Sequence, residues 1–372
     1  MNFIDLKEQY NRYKEEIRAE IDNTLEATHF IGGPALANLE KELADFCGAK
    51  HAIGCSSGTD ALILSLMALD IKPGDEVIVP DFTFFATAET VSFLGAKPVF
   101  VDIKEDTYNI DPDLIEARIT ERTNGIIAVS LYGQCADFDG LNSIVRKHNL
   151  FLIEDAAQSF GADCNGKKSG NLCEVAATSF YPAKPLGAYG DGGAVFTSNG
   201  DSNDELAEKI RMLLNHGQNA SYKHRYIGIN GRLDAIQAAI LRVKLKHFNE
   251  ELEKRQQVAG WYTEALAGLV ITPEIKDGNT CSWAQYTVRS DKREQIIDHL
   301  KKKGIPVAIH YPLPVHKQED YSNQQLDEAN KADKDFPVAV RMSREVFSLP
   351  MHPFLTREES QKVASAIEEA LN

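Results

Sequence analysis

The stretch His51–Pro80, HAIGCSSGTDALILSLMALDIKPGDEVIVP, contains the two kinds of element that decide the fold. "HAIGC" and "DEVIVP" are short and apolar, which favours β-strands, and "TDALILSLMALD" between them has the length of a helix. Strands that are apolar throughout and alternate with helices are typical of a parallel sheet covered on both faces. This stretch therefore predicts the first strand–helix–strand unit of an α/β domain.

The same alternation continues on the carboxyl side of this stretch. We predict helices at "TFFATAETVSFLG", "DPDLIEARIT", "DFDGLNSIVRKHN" and "NDELAEKIRMLLNHG", and strands at "KPVFVDI", "GIIAVSLYG", "LFLIEDAA" and "GAVFTS". Asp111 and Pro112 open "DPDLIEARIT" with residue types that favour the start of a helix. The pattern as a whole predicts a mostly parallel sheet with helices on both faces.

A long helical pattern, from about residue 232 to residue 266, comes before a change in this alternation. Beyond about residue 281 the sequence is typical of a β-α-β-α-β-α series, with predicted strands at "SWAQYTVRS" and "VAIHYP". The chain has 372 residues, which is too long for one compact core and indicates two domains. We predict a large domain over residues 1–250 and a small C-terminal domain over residues 251–372.

Composition and charge exclude several classes of protein. The net charge of −15 argues against nucleic acid as the main partner, although a local pocket can still bind a small phosphate-bearing ligand. No apolar run approaches the roughly 18 residues of a membrane span, and the charged amino terminus lacks the apolar segment of a secretion signal. The six scattered cysteines suit a reducing cytoplasm, and His310 and His316 are too isolated to predict a metal site.

The loop "CSSGTDAL", from Cys55 to Leu62, follows a predicted strand and opens a predicted helix. Gly58 and Thr59 lie where the first backbone N–H groups of the helix have no partner within the helix and carry partial positive charge. Small residues there let an anion approach, so the loop is a candidate phosphate site. The alternative is ordinary capping of the helix by a serine or threonine hydroxyl.

The segment "LFLIEDAAQS" places Glu154, Asp155 and Gln158 at the end of an apolar strand. Ligands of open α/β sheets bind outside the carboxyl ends of the strands, so an acid at this position needs a partner. That partner is a capped helix, a metal ion or the protonated ring nitrogen of a cofactor.

Lys184 lies in "SFYPAKPLGAYGDGG", between Pro182 and Pro185, and 29 residues after Asp155. The prolines stiffen the segment, and the glycines that follow permit a close approach of a ligand. The amine of Lys184 could form a Schiff base with an aldehyde cofactor. The alternative is a solvated lysine on a turn.

The order of these features along the chain says more than any one of them. A phosphate loop, an aromatic segment, an acid and a lysine are the parts that pyridoxal phosphate (PLP) requires. "PDFTFFAT" offers Phe82, Phe84 and Phe85 for stacking on the cofactor ring, although core packing must account for at least one of these rings.

With these features in this order, the sequence resembles a known family, the DegT/DnrJ/EryC1/StrS sugar aminotransferases. The resemblance covers nearly the whole chain and is carried by "SSGTDAL", "PDFTFFATAETV", "EDAAQSFGA", "SFYPAKPLGAYGDGG", "GINGRLDAIQAAIL" and "AIHYPLP". It implies an α/β fold of the aspartate-aminotransferase type (PLP fold type I), with a seven-stranded sheet in the large domain and a smaller α/β C-terminal domain. It also implies an aminotransferase that uses PLP.

The resemblance implies a role for each matching position. Lys184 matches the lysine that holds PLP and then moves protons during transfer, and Asp155 matches the acid on the pyridine nitrogen. The other matches to cofactor-binding positions are Gly58, Thr59 and Ser179 at the phosphate, Phe84 on the ring face and Gln158 near the phenolic oxygen. Ala183 departs from the serine or threonine that many members carry before the lysine, which removes one hydroxyl from the loop.

The resemblance also implies a homodimer with shared active sites. Asn230 matches a residue that reaches the phosphate of the neighbouring subunit, and Arg232 a substrate-contacting residue from the same partner. His310 and Tyr311 lie in a loop near the sugar. Within the family the chain looks most like enzymes that transfer an amino group from L-glutamate to UDP-2-acetamido-2-deoxy-3-oxo-glucuronate for surface polysaccharides such as the O-antigen of lipopolysaccharide. The alternatives are an aminotransferase for other dTDP- or UDP-linked keto-sugars, a sugar dehydratase and a non-catalytic regulator.

Overall fold

The computed structural model describes residues 1–198, 203–323 and 333–372, and its secondary structure follows the alternation of the sequence. The strands in chain order are β1 (His51–Cys55), β2 (Glu76–Pro80), β3 (Lys97–Val101), β4 (Thr123–Val129), β5 (Phe151–Asp155), β6 (Asp163–Cys164), β7 (Lys167–Lys168), β8 (Val175–Ser179), β9 (Gly193–Thr197), β10 (Gln218–Ala220), β11 (Lys223–His224), β12 (Tyr286–Arg289) and β13 (Val346–Leu349). The helices are α1 (Leu6–Ala27), α2 (Gly33–Cys47), α3 (Gly58–Ala68), α4 (Ala86–Phe93), α5 (Phe138–His148), α6 (Asn203–Leu213), α7 (Ala235–Ala265), α8 (Arg293–Lys302), α9 (Glu319–Asn323), α10 (Pro337–Glu345) and α11 (Arg357–Leu371).

Seven strands form one sheet in the order β1-β9-β8-β5-β4-β2-β3. Only β9 runs against its neighbours, since it pairs antiparallel with both β1 and β8 while the remaining pairs are parallel. The mostly parallel, seven-stranded α/β sheet is therefore confirmed. Because β1, β2, β5 and β8 all point the same way, the loops that follow them meet at one edge of the sheet.

Two of the predicted elements are wrong. "DPDLIEARIT" forms two short 3-10 turns, at Pro112–Leu114 and Glu116–Arg118, although Asp111 caps the first turn as its residue type suggests. "VAIHYP" forms no strand, and Ala308 makes only a single bridge, with Ser348. In both places a short apolar or helix-forming run is ambiguous in sequence, and tertiary packing decides its conformation.

The C-terminal part of the chain packs around a hydrophobic cluster of its own. β12 and β13 pair antiparallel, and the cluster includes the buried side chains of Tyr262, Tyr286 and Phe347. The long helix α7 is confirmed and passes through residue 250 without a break. The division into domains at residues 1–250 and 251–372 stays a prediction. None of the described helices is long and apolar enough to cross a lipid bilayer.

A buried ionic contact joins the segment after β2 to the C-terminal part. Asp81 Oδ2 lies 2.6 Å from His316 Nδ1, and Asp81 Oδ1 accepts from the backbone N of His316 at 2.9 Å. His316 Nε2 lies 3.3 Å from Asp333 Oδ1. Because both ring nitrogens face carboxylates, the contact favours the imidazolium, the form that donates from both nitrogens.

This contact predicts that stability falls as the pH rises. Burial opposes ionisation of His316, but its bonds to Asp81 and Asp333 raise its pKa overall. Burial raises the pKa of Asp81 to about 6, although His316 opposes this. Both groups thus stabilise the fold in acid and lose that effect with rising pH, Asp81 through about 6 and His316 above its ordinary value of 6.5.

The expected result is that the free energy of unfolding of the wild-type protein falls between pH 5 and pH 9, and that the double variant Asp81→Asn/His316→Asn, which lacks both titrating groups, loses less over the same range. Guanidinium unfolding at the two pH values measures this difference. Asp333→Asn, which removes only the outer carboxylate, should show a smaller difference of the same sign. An equal decrease in the wild-type protein and the double variant would contradict the raised pKa values of Asp81 and His316.

Candidate active site

Lys184 lies on the connection between β8 and β9, above the carboxyl edge of the sheet. Its backbone N donates to Tyr181 O at 2.8 Å, and Ala188 N donates to Phe180 O at 2.7 Å, so residues 180–188 form a closed loop. Burial lowers the pKa of the Lys184 amine, and the carboxylate of Asp155 partly opposes this. A lowered pKa increases the fraction of free amine, which is the nucleophilic form.

Asp155 ends β5 and is almost completely buried, with 6% of its surface exposed. Its carboxylate accepts from Thr87 Oγ1 at 3.0 Å and from Ala157 N at 3.2 Å. Burial raises its pKa despite these bonds and the charge of Lys184. This buried carboxylate lies beside an amine and accepts few hydrogen bonds. It can therefore bind a cationic group that enters the site.

The neighbouring acid, Glu154, has a different role. Its side chain accepts from Ser169 Oγ at 2.6 Å and from the backbone N atoms of Gly170 and Leu172. Burial raises the pKa of Glu154 to about 7. Side chains alternate between the faces of a strand, so Glu154 is directed to a structural contact while Asp155 faces the site.

The candidate phosphate loop lies at the amino terminus of α3, next to the end of β8. Ser57 caps the helix by accepting from Asp60 N at 3.0 Å, so the capping interpretation of the loop is confirmed for this residue. Gly58 packs on Ser179 so closely that a Cβ on Gly58 would lie 2.6 Å from the Cβ of Ser179. Gly58 thus lies beside Ser179, and Thr59 follows it in the first turn of α3, at the positive end of the helix dipole.

This close approach predicts the effect of one methyl group. Gly58→Ala should push α3 away from Ser179 and weaken the affinity for PLP by roughly 10- to 100-fold, the effect of overpacking by about 1–3 kcal/mol. Absorbance titration of the PLP-free protein measures this affinity. Gly260→Ala is the matched control, because no atom lies within 4 Å of a Cβ at that helical position. Unchanged affinity in Gly58→Ala would place the phosphate elsewhere.

Aromatic side chains border the site on the side of α4. Phe84 is 57% exposed, whereas Phe82 is buried and Phe85 packs against Tyr321, so only Phe84 of the three offers a free ring face. The Phe84 ring lies 6.1 Å from that of Tyr311. Phe84 is thus the one suited to stacking on a planar ligand.

Gln158, Tyr311 and His310 form a connected group beside Phe84. Gln158 Nε2 donates to the Tyr311 hydroxyl at 3.1 Å, and burial raises the pKa of that hydroxyl. Burial and, to a lesser degree, the charge of Lys184 lower the pKa of His310 to about 4, so its imidazole is neutral near pH 7. His310 Nδ1 lies 2.9 Å from Ser348 Oγ.

Asn230 and Arg232 are placed apart from this group. Asn230 is exposed and its backbone pairs with that of Asn215. Arg232 pairs through its backbone with Cys55, and its Nη1 donates to Asn215 Oδ1 at 2.9 Å. Its buried Nε has no hydrogen-bond partner among the described residues, which leaves a donor free for a ligand. Within one chain no contact of the described residues links Asn230 to Lys184.

Two residues that the sequence analysis did not identify support the site. Thr87 donates to Asp155, and the backbone N of Tyr132 donates to Gln158 Oε1 at 2.7 Å. The Tyr132 hydroxyl also donates to the carbonyl of His310. Thr87 falls within "PDFTFFAT", where the aromatic residues and not the threonines carry the signal for a cofactor site. Nothing in the sequence near Tyr132 indicates its contact with residue 310.

The described residues fit PLP. A glycine–serine contact at a helix amino terminus suits a phosphate, and Phe84 presents a ring face. Asp155 is a buried acid with few donors, and Lys184 is an amine whose pKa is lowered. No group of three or more His, Cys, Asp or Glu side chains that could hold a metal ion occurs in the part of the chain that the structure describes.

Known proteins are similar to this chain over nearly its whole length. The chain is 52% identical over 99% of both chains to the UDP-2-acetamido-2-deoxy-3-oxo-D-glucuronate aminotransferase of Pseudomonas aeruginosa. It is 45% identical to a protein of Geobacillus stearothermophilus named pleiotropic regulatory protein, over 98% of this chain and 97% of that one. It is 42% identical to the UDP-N-acetyl-3-dehydro-alpha-D-glucosamine 3-aminotransferase of Acidithiobacillus ferrooxidans, over 99% and 97%.

Solved structures show the same fold. A DegT DnrJ EryC1 StrS aminotransferase from Brucella abortus matches with a TM-score of 0.93 and 41% identity, over 99% of both chains. NtdA from Bacillus subtilis with bound cofactor PMP matches with a TM-score of 0.86 and 30% identity, over 97% of this chain and 82% of that one. These likenesses confirm the predicted fold class, enzyme class and cofactor.

The family model described as the DegT/DnrJ/EryC1/StrS aminotransferase family matches residues 11–368, nearly the whole chain. The chain therefore belongs to this family of pyridoxal-phosphate-dependent aminotransferases.

Proposed function

We propose that this aminotransferase moves the amino group of L-glutamate to C3 of UDP-2-acetamido-2-deoxy-3-oxo-D-glucuronate, in the cytoplasm, for the synthesis of a surface polysaccharide. The observation that carries the choice of sugar is the 52% identity to the Pseudomonas aeruginosa enzyme that is named for this substrate. In the balanced reaction, glutamate and the keto-sugar give 2-oxoglutarate and the amino-sugar.

Each residue of the site has a task in this mechanism. Lys184 would hold PLP through Nζ, Asp155 would bind its ring nitrogen, and Gly58, Thr59 and Ser179 would bind its phosphate. When bound, PLP supplies an electron sink that stabilises negative charge on the reacting carbon. Lys184 Nζ accepts the proton that leaves the α-carbon of glutamate, and in the second half-reaction it delivers a proton to the sugar carbon that receives nitrogen.

Other residues hold the cofactor and the sugar in place. Phe84 and Gln158 bind the face and the phenolic edge of the cofactor ring, while His310 and Tyr311 border the sugar. The neutral imidazole of His310 can exchange hydrogen bonds with sugar hydroxyls without adding a second cation next to Lys184. The free Nε of Arg232, which would reach the sugar from the neighbouring subunit, suits an anionic group, and a guanidinium binds a uronate carboxylate through two parallel bonds.

The experiment that tests this proposal is a substrate panel. The holoenzyme is incubated with L-glutamate and either the UDP-3-keto-glucuronate, the UDP-3-keto-glucosamine that lacks the carboxylate, or a dTDP-3-keto-6-deoxy-sugar. Formation of 2-oxoglutarate and the mass of the sugar product report transfer. Preference for the uronate supports the proposal, and Arg232→Met should remove that preference. Preference for the dTDP-sugar would support the alternative, favoured by the 42% identity to a dTDP-sugar transaminase of Streptomyces venezuelae.

We also propose a homodimer in which each site uses residues of both subunits. Tyr222 and Ile227, on and beside the β10–β11 hairpin, are 93% and 92% exposed, and such apolar side chains are typical of a surface that a partner covers. Asn230 follows this segment and has no contact with its own Lys184. In this arrangement Asn230 reaches the phosphate of the neighbouring subunit.

A mixing experiment tests the shared site. Subunits that carry Lys184→Ala and subunits that carry Asn230→Ala are each expected to have low activity. Refolded or co-expressed together, random pairing should restore about a quarter of the wild-type sites, because half the dimers are mixed and each contains one intact site. Recovery of no activity, in mixtures that sedimentation shows to be dimeric, would mean that each site is built by one chain.

A further inference from the structure

Helix α7 carries three polar side chains at a spacing of seven residues, Gln237, Lys244 and Glu251. Seven residues are close to two helical turns, so the three side chains lie along one face of the helix. Lys244 is 2% exposed and Glu251 is 3% exposed. Lysine is almost never fully buried unless it is paired, so the burial of Lys244 calls for an explanation.

The ammonium of Lys244 contacts the loop that carries Lys184. Its Nζ donates to the carbonyl of Gly187 and lies 5.1 Å from the centre of the Tyr189 ring, within the range of a cation–π contact. Gln237, on the same face of α7, makes a second contact with this loop: its Oε1 accepts from Tyr189 N at 2.9 Å. Helix α7 thus binds the loop three and five residues beyond Lys184.

Gly187 and Lys184 are expected to move together because the loop that carries them is tightly closed. A Cβ on Gly187 would lie 2.5 Å from the carbonyl oxygen of Pro182, so these two parts of the loop are in close contact. The bonds from Lys184 N to Tyr181 O and from Ala188 N to Phe180 O close the loop on both sides of this contact. A shift of Gly187 therefore moves the turn on which the Lys184 amine is placed.

Glu251, about two helical turns beyond Lys244 on the same face of α7, stabilises the buried cation. Burial lowers the pKa of Lys244 to about 8; Glu251 opposes this change and Arg255 adds to it. Glu251 is itself fixed, because Gln9 Nε2 of helix α1 lies 2.9 and 2.8 Å from its two oxygens. A hydrogen bond from a charged donor is about twice as strong as a neutral one, which suits the task of holding a loop carbonyl.

We propose that Lys244 is a positioning residue for the reaction: by binding the Gly187 carbonyl, it holds the Lys184 amine where it can attach the cofactor and move protons. The inference rests on the proposed role of Lys184. It predicts that loss of the Lys244 amine slows the steps that need the correct position of Lys184, while the binding of glutamate and sugar changes little.

The test compares Lys244→Met with Lys246→Met, which removes a charge from an exposed position of the same helix. Three quantities are measured: thermal unfolding, steady-state kcat and KM, and the rate at which PLP added to the PLP-free protein acquires the absorbance of its lysine-bound form. In Lys244→Met, kcat and the attachment rate should each fall by about 100-fold, as for a misplacement of about 1 Å, with KM for glutamate nearly unchanged. Lys246→Met should match wild type.

Two results would overturn the inference. One is a folded Lys244→Met protein that is less stable but attaches PLP and turns over at the wild-type rate, which would make Lys244 a structural residue only. The other is an equal loss in Lys246→Met. If Lys244→Met does not fold, Lys244→Gln, which keeps a neutral donor, is judged by the same criteria. Failure of wild-type protein to attach PLP through Lys184 would instead overturn the proposed function.

Discussion

Replacement of Lys184 by alanine is expected to abolish transamination, with a loss in kcat of at least about 10⁴-fold, because in the proposed mechanism one amine both attaches the cofactor and moves the protons. The measurement is formation of 2-oxoglutarate from glutamate in the presence of the keto-sugar. The fold should survive, since the half-buried amine makes no hydrogen bond or ion pair with another described residue and its desolvation disfavours the charged form.

Two further variants separate chemistry from charge. Lys184→Arg keeps a positive charge beside Asp155 but has no nucleophilic amine, so it should be as inactive as the alanine variant. Lys168→Ala, on the short strand β7, removes a lysine that pairs with Asp163 and should leave turnover unchanged. Wild-type turnover by Lys184→Ala or Lys184→Arg would contradict the mechanism.

The second large effect is expected at Asp155. Asp155→Asn should lower kcat by about 10²- to 10³-fold, the loss found when one preorganised electrostatic group is removed from a site. An amide cannot balance a protonated ring nitrogen, although its oxygen can still accept from Ala157 N and its NH2 group can donate to the Thr87 hydroxyl. Because burial raises the pKa of Asp155, its ionised form costs the fold free energy. The PLP-free variant should therefore unfold at the same temperature as wild type or higher.

The adjacent acid provides the matched control. Glu154→Gln replaces an oxygen acceptor that binds Ser169 and the backbone of Gly170 and Leu172, so it should lower the free energy of unfolding by about 1–3 kcal/mol. Its kcat should stay near that of wild type. Opposite outcomes, with Glu154→Gln inactive and Asp155→Asn merely unstable, would exchange the roles assigned to the two carboxylates.

Much of the fold could be predicted from the sequence because the signals are local and repeated. Continuously apolar runs such as "DEVIVP" can be buried only as inner strands or buried helices, and their length selects strands. The helix predicted at "DPDLIEARIT" is wrong because a helix-forming composition does not show that the chain forms only two short turns there. The strand predicted at "VAIHYP" is wrong because a short apolar run next to a possible partner strand need not pair with it.

The candidate site could be predicted in part, for a different reason. Asp155 ends a strand of the parallel sheet, Lys184 and Gly58 each follow one, and the sheet brings such positions to one edge. Thr87, Tyr132 and Lys244 could not be identified in this way. Their roles depend on contacts between segments far apart in the chain, and the spacing of single polar residues carries no information on those contacts.

The alternation of Glu154 and Asp155 along β5 has a consequence for how the chain tolerates insertions. β5 pairs residue by residue with β4 and β8. If one residue were added within β5, the strand could slide by one position and keep its backbone ladder, yet every side chain beyond the insertion would change faces. Asp155 would then lie on the face of Ser169, and Glu154 would lie on the face of Lys184. Such a protein would keep its sheet but lose its aminotransferase activity, so the register of this strand matters as much as its composition.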